Sequence, residues 1–179
     1  MSEKYIFLDR DGVINKDTGY VHLWKDFFLI DGVIEALKIL KKLGYKFVIV
    51  TNQSGIGRGL FTEKNYLNLT AQYRGYLLEY GIEIIDIYHC PHSPLNKKEK
   101  GCFCRKPNPG MILKAAKDHN IYLPNSFMVG DSISDMIAAK NAGIKNRILL
   151  KENSVPDQNN HNSQIFKNLL DFANYLKKN

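Results

Sequence analysis

Asp9 and Asp11 stand two residues apart where an apolar run, 5–8, gives way to Gly12. If that run is a buried strand, both carboxylates fall at its carboxyl end, and in open α/β sheets that end is where ligands bind. Strand side chains alternate between faces, so residues i and i+2 share a side and the two acids can face one point. Two anions that close repel, and one raises the pKa of the other unless a cation lies between them. The pair therefore predicts a hard divalent cation, most simply Mg2+, which takes oxygen ligands and leaves positions for phosphate and water. The other reading of the same residues is an Asp-Gly turn with incidental surface acids, since both residue types favour turns.

Three further segments bear on that choice. Thr51-Asn52-Gln53-Ser54-Gly55-Ile56-Gly57-Arg58-Gly59 follows the β-branched run 46–50. A hydroxyl and exposed backbone amides at a strand end, with glycines behind them, suit phosphoryl oxygens. The glycine spacing is not that of a dinucleotide fingerprint, the segment follows the second strand rather than the first, and there is no Walker A sequence. Val129-Gly130-Asp131 brings another carboxylate to a strand end, where Asp131 would complete a set for Mg2+. Asp135 begins the next helix and reads either as a further metal ligand or, the reading preferred here, as a cap that supports the loop.

Cys90-Pro91-His92 and Cys102-Phe103-Cys104 hold all three cysteines of the chain. Two spaced pairs of ligand-type residues predict a closed, tetrahedral Cys3His zinc site of structural type. The alternative is free thiols, disulfides being disfavoured in a reducing cytosol. His22, His89, His119 and His161 read as ordinary polar or packed side chains. Arg105-Lys106-Pro107 follows Cys104 directly, so a metal that fixes Cys102 and Cys104 also fixes where two cations point.

Alternating strand and helix signals are what would carry these segments. Strands are expected at 5–9, 46–50, 84–89, 126–130 and 147–150. Helical periodicity marks 33–43, stopped by Gly44, and a helix capped by Thr62 that runs to Gly81. Further helices are expected at about 107–120, with Pro107 in the first turn, at 134–142 up to Gly143, and from Ile165 to Leu176. The polar stretch 151–164 reads as a surface loop. Such alternation implies an α/β fold, a Rossmann-like parallel sheet with helices on both faces. The aromatic stripe of the Thr62 helix reads as core packing.

A chain of 179 residues is expected to form one domain, 1–179, at roughly 100–200 residues per domain. No apolar stretch is long enough for a membrane span, and Met1-Ser2-Glu3-Lys4 leaves no room for a signal peptide, which predicts a cytoplasmic protein without a membrane partner. The net charge of +7 favours anionic partners. Lys97, Lys98, Lys100, Arg105 and Lys106 form the densest basic stretch, and Lys177-Lys178 suits a helix end. No long heptad pattern is present, so a monomer is expected.

Together the four strand-end segments resemble the haloacid dehalogenase-like phosphohydrolases, in Asp9-x-Asp11-Gly12, Thr51-Asn52, Arg105-Lys106-Pro107 and Gly130-Asp131-x-x-x-Asp135, in order. The finer motifs are Asp9-Arg10-Asp11-Gly12-x-Ile14-Asn15, Gly19-Tyr20-Val21, Thr51-Asn52-Gln53-Ser54-Gly55-Ile56, the Cys/His loop at 90–104, and Arg105-Lys106-Pro107-x-Pro109-Gly110-Met111. These resemble the branch that acts on heptose bisphosphates, with histidinol-phosphate phosphatases as relatives. The resemblance runs from about Tyr5 to Leu150, and the length fits a member with a minimal cap.

The resemblance implies a Mg2+-dependent phosphatase that removes the 7-phosphate of D-glycero-D-manno-heptose 1,7-bisphosphate, a small sugar bisphosphate, with no nucleic acid as partner. It implies Asp9 as nucleophile and Asp11 as general acid and base. Asp9, the Asp11 backbone carbonyl and Asp131 would hold Mg2+. Thr51, Asn52 and Lys106 would stabilise the phosphoryl oxygens, and Arg105 would read the second phosphate. Arg10, Asp17, Thr18, Gly19, Tyr20, Gln53 and Ser54 complete the expected substrate contacts; Cys90, His92, Cys102 and Cys104 are the expected Zn2+ ligands. Rival readings are a histidinol-phosphate phosphatase, a polynucleotide 3′-phosphatase and a zinc-loop binding module without turnover.

Overall fold

The computed structural model describes residues 3–94, 102–152 and 163–179. Expectations for Lys97, Lys98, Lys100, His161 and most of the 151–164 loop lie outside those residues. Six strands, β1 (Lys4–Leu8), β2 (Tyr45–Asn52), β3 (Ile84–Cys90), β4 (Phe127–Gly130), β5 (Asn146–Leu150) and β6 (Gln164–Phe166), form one parallel sheet in the order β3-β2-β1-β4-β5-β6.

The alternation of β1 decides the layers. Ile6 and Leu8, with Phe47, Ile49, Val129 and Ile148, face helices α1 (Val33–Lys42), α3 (Glu63–Glu79) and α6 (Leu169–Lys178), which contribute Leu37, Leu40, Tyr73, Leu77 and Phe172. Tyr5 and Phe7, with Val48, Val50, Met128 and Leu149, face α4 (Gly110–Asp118) and α5 (Ile133–Ala142) through Met111, Ile112, Met136 and Ala139. Each fully buried Leu, Ile or Phe contributes about 1.5–3 kcal/mol over an exposed one. One-residue slippage of β1 would exchange its two faces, so burial on both sides holds the register that sets Asp9 at the strand end.

Local signals account for most boundaries. Thr62 and Asn65 form a reciprocal capping box at the start of α3, and Ser132 and Asp135 do so at α5. Tyr66, Leu69, Tyr73 and Leu77 put the α3 stripe in the core, while Tyr80 at its end is exposed. No described helix is long and apolar enough to cross a membrane.

Two expectations need correction. Pro107 is not in the first turn of α4: it follows a cis Lys106–Pro107 bond, and Pro109 precedes the helix, which starts at Gly110. Ile165 belongs to β6, paired with Leu149, because α6 begins only after Asn168, whose side chain accepts from the Asp171 amide at 2.9 Å. After β2, Ser54–Gly57 forms a one-turn helix, α2.

Candidate active site

The chain crosses from one half of the sheet to the other between β1 and β4, and in this strand order ligands bind outside the carboxyl ends at that switch. Asp9 leaves β1 there, its amide still donating to Val129 O of β4 at 3.0 Å. Asp131 leaves β4 opposite it, and Thr51 comes from the end of β2. A cavity of about 340 Å³ opens at this edge, lined by Asp9, Asp11, Asp17, Gly19, Tyr20, Thr51, Asn52, Gln53, Ser54, Gly55, Lys106, Asp131, Ser132 and Ser134. A larger cleft beside it, lined by Gly12, Lys16, Asp31 and Lys167 among others, shares only Asp17 with this set and has none of the converging strand-end groups.

Lys106 is the hub of the cavity floor. Its side chain is buried, and Nζ donates to Val50 O at 2.8 Å, to Asp9 Oδ1 at 2.9 Å and to Asp135 Oδ1 at 2.6 Å, so its three N–H bonds are all used. Asn52 fixes its backbone from both ends, with Oδ1 accepting from Lys106 N and Nδ2 donating to Lys106 O, each at 3.1 Å. Asp135 Oδ2 accepts from Ser132 N at 3.1 Å and Ser132 Oγ at 2.8 Å. Asp135 is thus more than a cap: it ties α5 to the lysine.

Carboxylate oxygens of Asp9, Asp131 and Asp135 lie within 4.8 Å of one another. Burial pushes the Asp9 carboxyl up to about 7, with Asp135 and Asp131 adding to the rise and Lys106 opposing it. Burial, then the Asp135 charge, likewise raises Asp131 to about 6. Burial lowers Lys106, but Asp135 and Asp9 outweigh it and carry the ammonium to about 12. Three carboxylates therefore share one ammonium, a set of hard oxygen donors short of positive charge, which fits a divalent cation. Gly12 permits the approach. Its φ is +77°, and a Cβ there would lie 2.0 Å from Asp131 Oδ2. A side chain at Gly130 would meet Asp135 in the same way, 2.4 Å from Oδ2.

A family model described as haloacid dehalogenase-like hydrolase matches residues 5–143. The chain belongs to that family. A Helicobacter pylori relative named D-glycero-beta-D-manno-heptose-1,7-bisphosphate 7-phosphatase is 46% identical over 177 residues, 98% of this chain and 98% of its own length. A Photorhabdus laumondii relative that carries the alpha form of the same name is 42% identical over 177 residues, 97% of each. Among solved structures, D,D-heptose 1,7-bisphosphate phosphatase from B. bronchiseptica complexed with magnesium and phosphate has a TM-score of 0.84 and 30% identity, over 98% of both chains.

Of the residues singled out in the sequence, Asp9, Asp11, Thr51, Lys106 and Asp131 line one cavity, joined by Asp17, Gly19, Tyr20, Asn52, Gln53 and Ser54. Thr18 and Arg105 are not among its lining residues. Arg105 turns its guanidinium to His92 O, at 3.3 Å. Arg10, expected to touch substrate, points inward and has no exposed surface. Ser132 and Ser134 join the cavity without having been singled out; their position between Asp131 and Asp135 was the available signal.

The second cluster also assembles. Cys90, at the end of β3, has its Sγ 3.4 Å from Cys102 Sγ, 3.3 Å from Cys104 Sγ and 3.4 Å from His92 Nδ1, and His92 Nδ1 is 3.2 Å from Cys104 Sγ. All three thiols are free. Zinc bonds of about 2.0–2.3 Å imply ligand–ligand separations of roughly 3.5–3.8 Å in a tetrahedron, so a small expansion of these four atoms would accept the ion. Burial, reinforced by Cys104, raises the Cys90 thiol strongly.

Proposed function

We propose that the chain is a Mg2+-dependent phosphatase that removes the 7-phosphate of D-glycero-D-manno-heptose 1,7-bisphosphate through an aspartyl-phosphate on Asp9. The observation that carries this is the convergence of Asp9, Asp11, Thr51, Lys106 and Asp131 on one cavity in a chain whose full-length relatives bear that activity in their names. Asp9 and Asp131, with the Asp11 carbonyl, would hold Mg2+, which when bound supplies neutralisation of phosphoryl charge.

Asp9 attacks phosphorus in line, so that an Asp9 O–P bond forms as the bond from phosphorus to the sugar oxygen breaks. Asp11 gives its proton to the departing alkoxide. It then takes a proton from the water whose oxygen attacks phosphorus and frees Asp9, and proton transfer of this kind typically contributes about 10²–10⁴-fold. Thr51 meets the transferring phosphoryl oxygens, and Lys106 joins it by turning the N–H that it gives to Asp9 toward them as that carboxylate bonds to phosphorus. Phosphate release from both anomers of the heptose bisphosphate and from histidinol phosphate, with and without Mg2+, tests the reading. The two relatives carry different anomers in their names, so both are assayed, and a preference for histidinol phosphate would overturn the assignment.

Cys90, His92, Cys102 and Cys104 would hold Zn2+ in a structural role. Because Arg105 contacts the His92 carbonyl while Asn52 holds the Lys106 backbone separately, zinc loss is expected to harm substrate recognition more than the Asp9 chemistry. Removing zinc with Mg2+ retained should raise KM for the bisphosphate while turnover of a small monophosphate ester changes little. Equal losses on both substrates, or none, would count against the coupling. Three cysteines without a disulfide suit a reducing compartment, in keeping with a cytoplasmic location.

A further inference from the structure

Arg10 lies between the two carboxylates that the proposed reaction uses, and its side chain is entirely buried. Its guanidinium meets Asp11 on both oxygens. Nη2 donates to Oδ1 and to Oδ2 at 2.8 Å each, and Nε donates to Oδ1 at 3.2 Å. Nη2 also donates to the Val21 carbonyl at 2.9 Å, in the loop that carries Tyr20 over the cavity. Two neutral side chains finish the clamp: Asn15 Nδ2 donates to Asp11 Oδ1 at 2.9 Å and Gln53 Nε2 to Oδ2 at 3.0 Å. Behind the guanidinium, the Tyr66 ring centre lies 6.0 Å from Cζ, and Tyr66 and Tyr73 are both buried.

An aspartate at a loop start has two side-chain torsions to lose before its oxygens face one direction, and this one is fixed by donors from three residues. Arg10 is also the only one of the three that brings charge, on a planar fork matched to a carboxylate. We propose that Arg10 is a positioning residue, which sets the orientation in which Asp11 passes its proton to the leaving oxygen and links that orientation to the loop at Val21. This rests on the reading of Asp11 as general acid and base. Arg10 itself is not among the cavity-lining residues.

A misaimed acid has a signature that general damage lacks. A sugar alkoxide needs a proton as it leaves, whereas p-nitrophenolate leaves without one. The test is the first-turnover rate with the heptose bisphosphate and with p-nitrophenyl phosphate, at saturating Mg2+, for the wild type, Asp11→Asn, Arg10→Lys and Asn15→Ala. Asp11→Asn is expected to lose about 10²–10⁴-fold on the sugar substrate and only a few-fold on the aryl ester. Arg10→Lys is expected to show the same split at about 10–100-fold, the scale of a catalytic group displaced by about 1 Å.

Equal losses by Arg10→Lys on both substrates, or none, while Asp11→Asn shows the split, would overturn the positioning role. Absence of the split in Asp11→Asn would overturn the acid/base reading, and the proposal with it. Should Arg10→Lys fail to fold, Asn15→Ala carries the test, since it removes one donor to Asp11 without unpairing a charge. It should show a smaller split of the same sign, and uniform losses there would again refute the role.

Discussion

Asp9→Asn is expected to abolish phosphate release, by about 10⁴-fold or more, the scale on which removing a nucleophile acts in a well-organised site. An amide oxygen at this position still accepts the hydrogen bond that Arg10 N gives to Asp9 Oδ1 at 2.7 Å. It cannot form a stable bond to phosphorus, so the loss should fall on kcat with zinc content unchanged. A binding module without turnover would show no activity to lose.

The same variant carries a stability prediction of opposite direction. Asp9 has its carboxyl raised from 3.8 to about 7, chiefly by burial and then by Asp135 and Asp131 against the pull of Lys106. A group whose folded pKa lies above its unfolded value contributes its full stability below the unfolded pKa, and loses it as pH rises through the folded one. Metal-free wild type should therefore lose stability between about pH 4 and about pH 7. Asp9→Asn, with nothing to ionise, should melt higher than metal-free wild type at pH 8 and no higher at pH 4. Mg2+ should narrow the gap at pH 8 by stabilising the wild type. Thermal melts at the two pH values, with and without Mg2+, check this, and a variant that melts lower at pH 8 would contradict it.

Much of this site is legible in the chain because strand ends are. The apolar runs before Asp9, Thr51 and Asp131 each have two faces to bury, and alternate residues of β1 go to different cores, so their carboxyl ends are set by packing that periodicity reveals. The Cys/His cluster is legible through spacing, since four ligand-type residues in two short pairs have little other reason to occur together. What stays hidden depends on contacts between distant segments. Asp135 reads as a helix cap, and is one, but its pairing with Lys106 joins α5 to a loop 29 positions earlier in the chain. Arg10 reads as a surface cation of the substrate site until its partner, Asp11, is seen to lie on its inner side. β6 is missed because three residues carry too little periodicity to separate a strand from the first turn of a helix. Its identity comes from Leu149 across the ladder.

Lys106→Met is expected to cost stability and catalysis together, because one ammonium serves two carboxylates, Asp135 fully buried and Asp9 largely so. Removing one partner of a buried ion pair typically costs about 3–5 kcal/mol, since the charge left behind has lost both water and counter-ion. Here Asp9 and Asp135 would both be left, and the Val50 carbonyl would lose its donor as well. Activity should fall by about 10²–10³-fold, as when one preorganised donor to a developing oxyanion is deleted. Met keeps the volume of the chain, so a cavity does not explain the loss. The pH dependence separates charge from packing. In the wild type, Lys106 titrates at about 12, raised above its ordinary 10.5 despite burial, so its contribution is constant across the neutral range and fades only above pH 10.5. In the variant, Asp9 has lost the group that opposed the rise of its carboxyl, so its pKa should rise further. The stability deficit should then be largest above pH 7 and shrink as pH falls toward 5, where protonation relieves the unpaired charge. A deficit that stays the same from pH 5 to pH 8 would mean that Lys106 fills space beneath Asp9 rather than neutralising it.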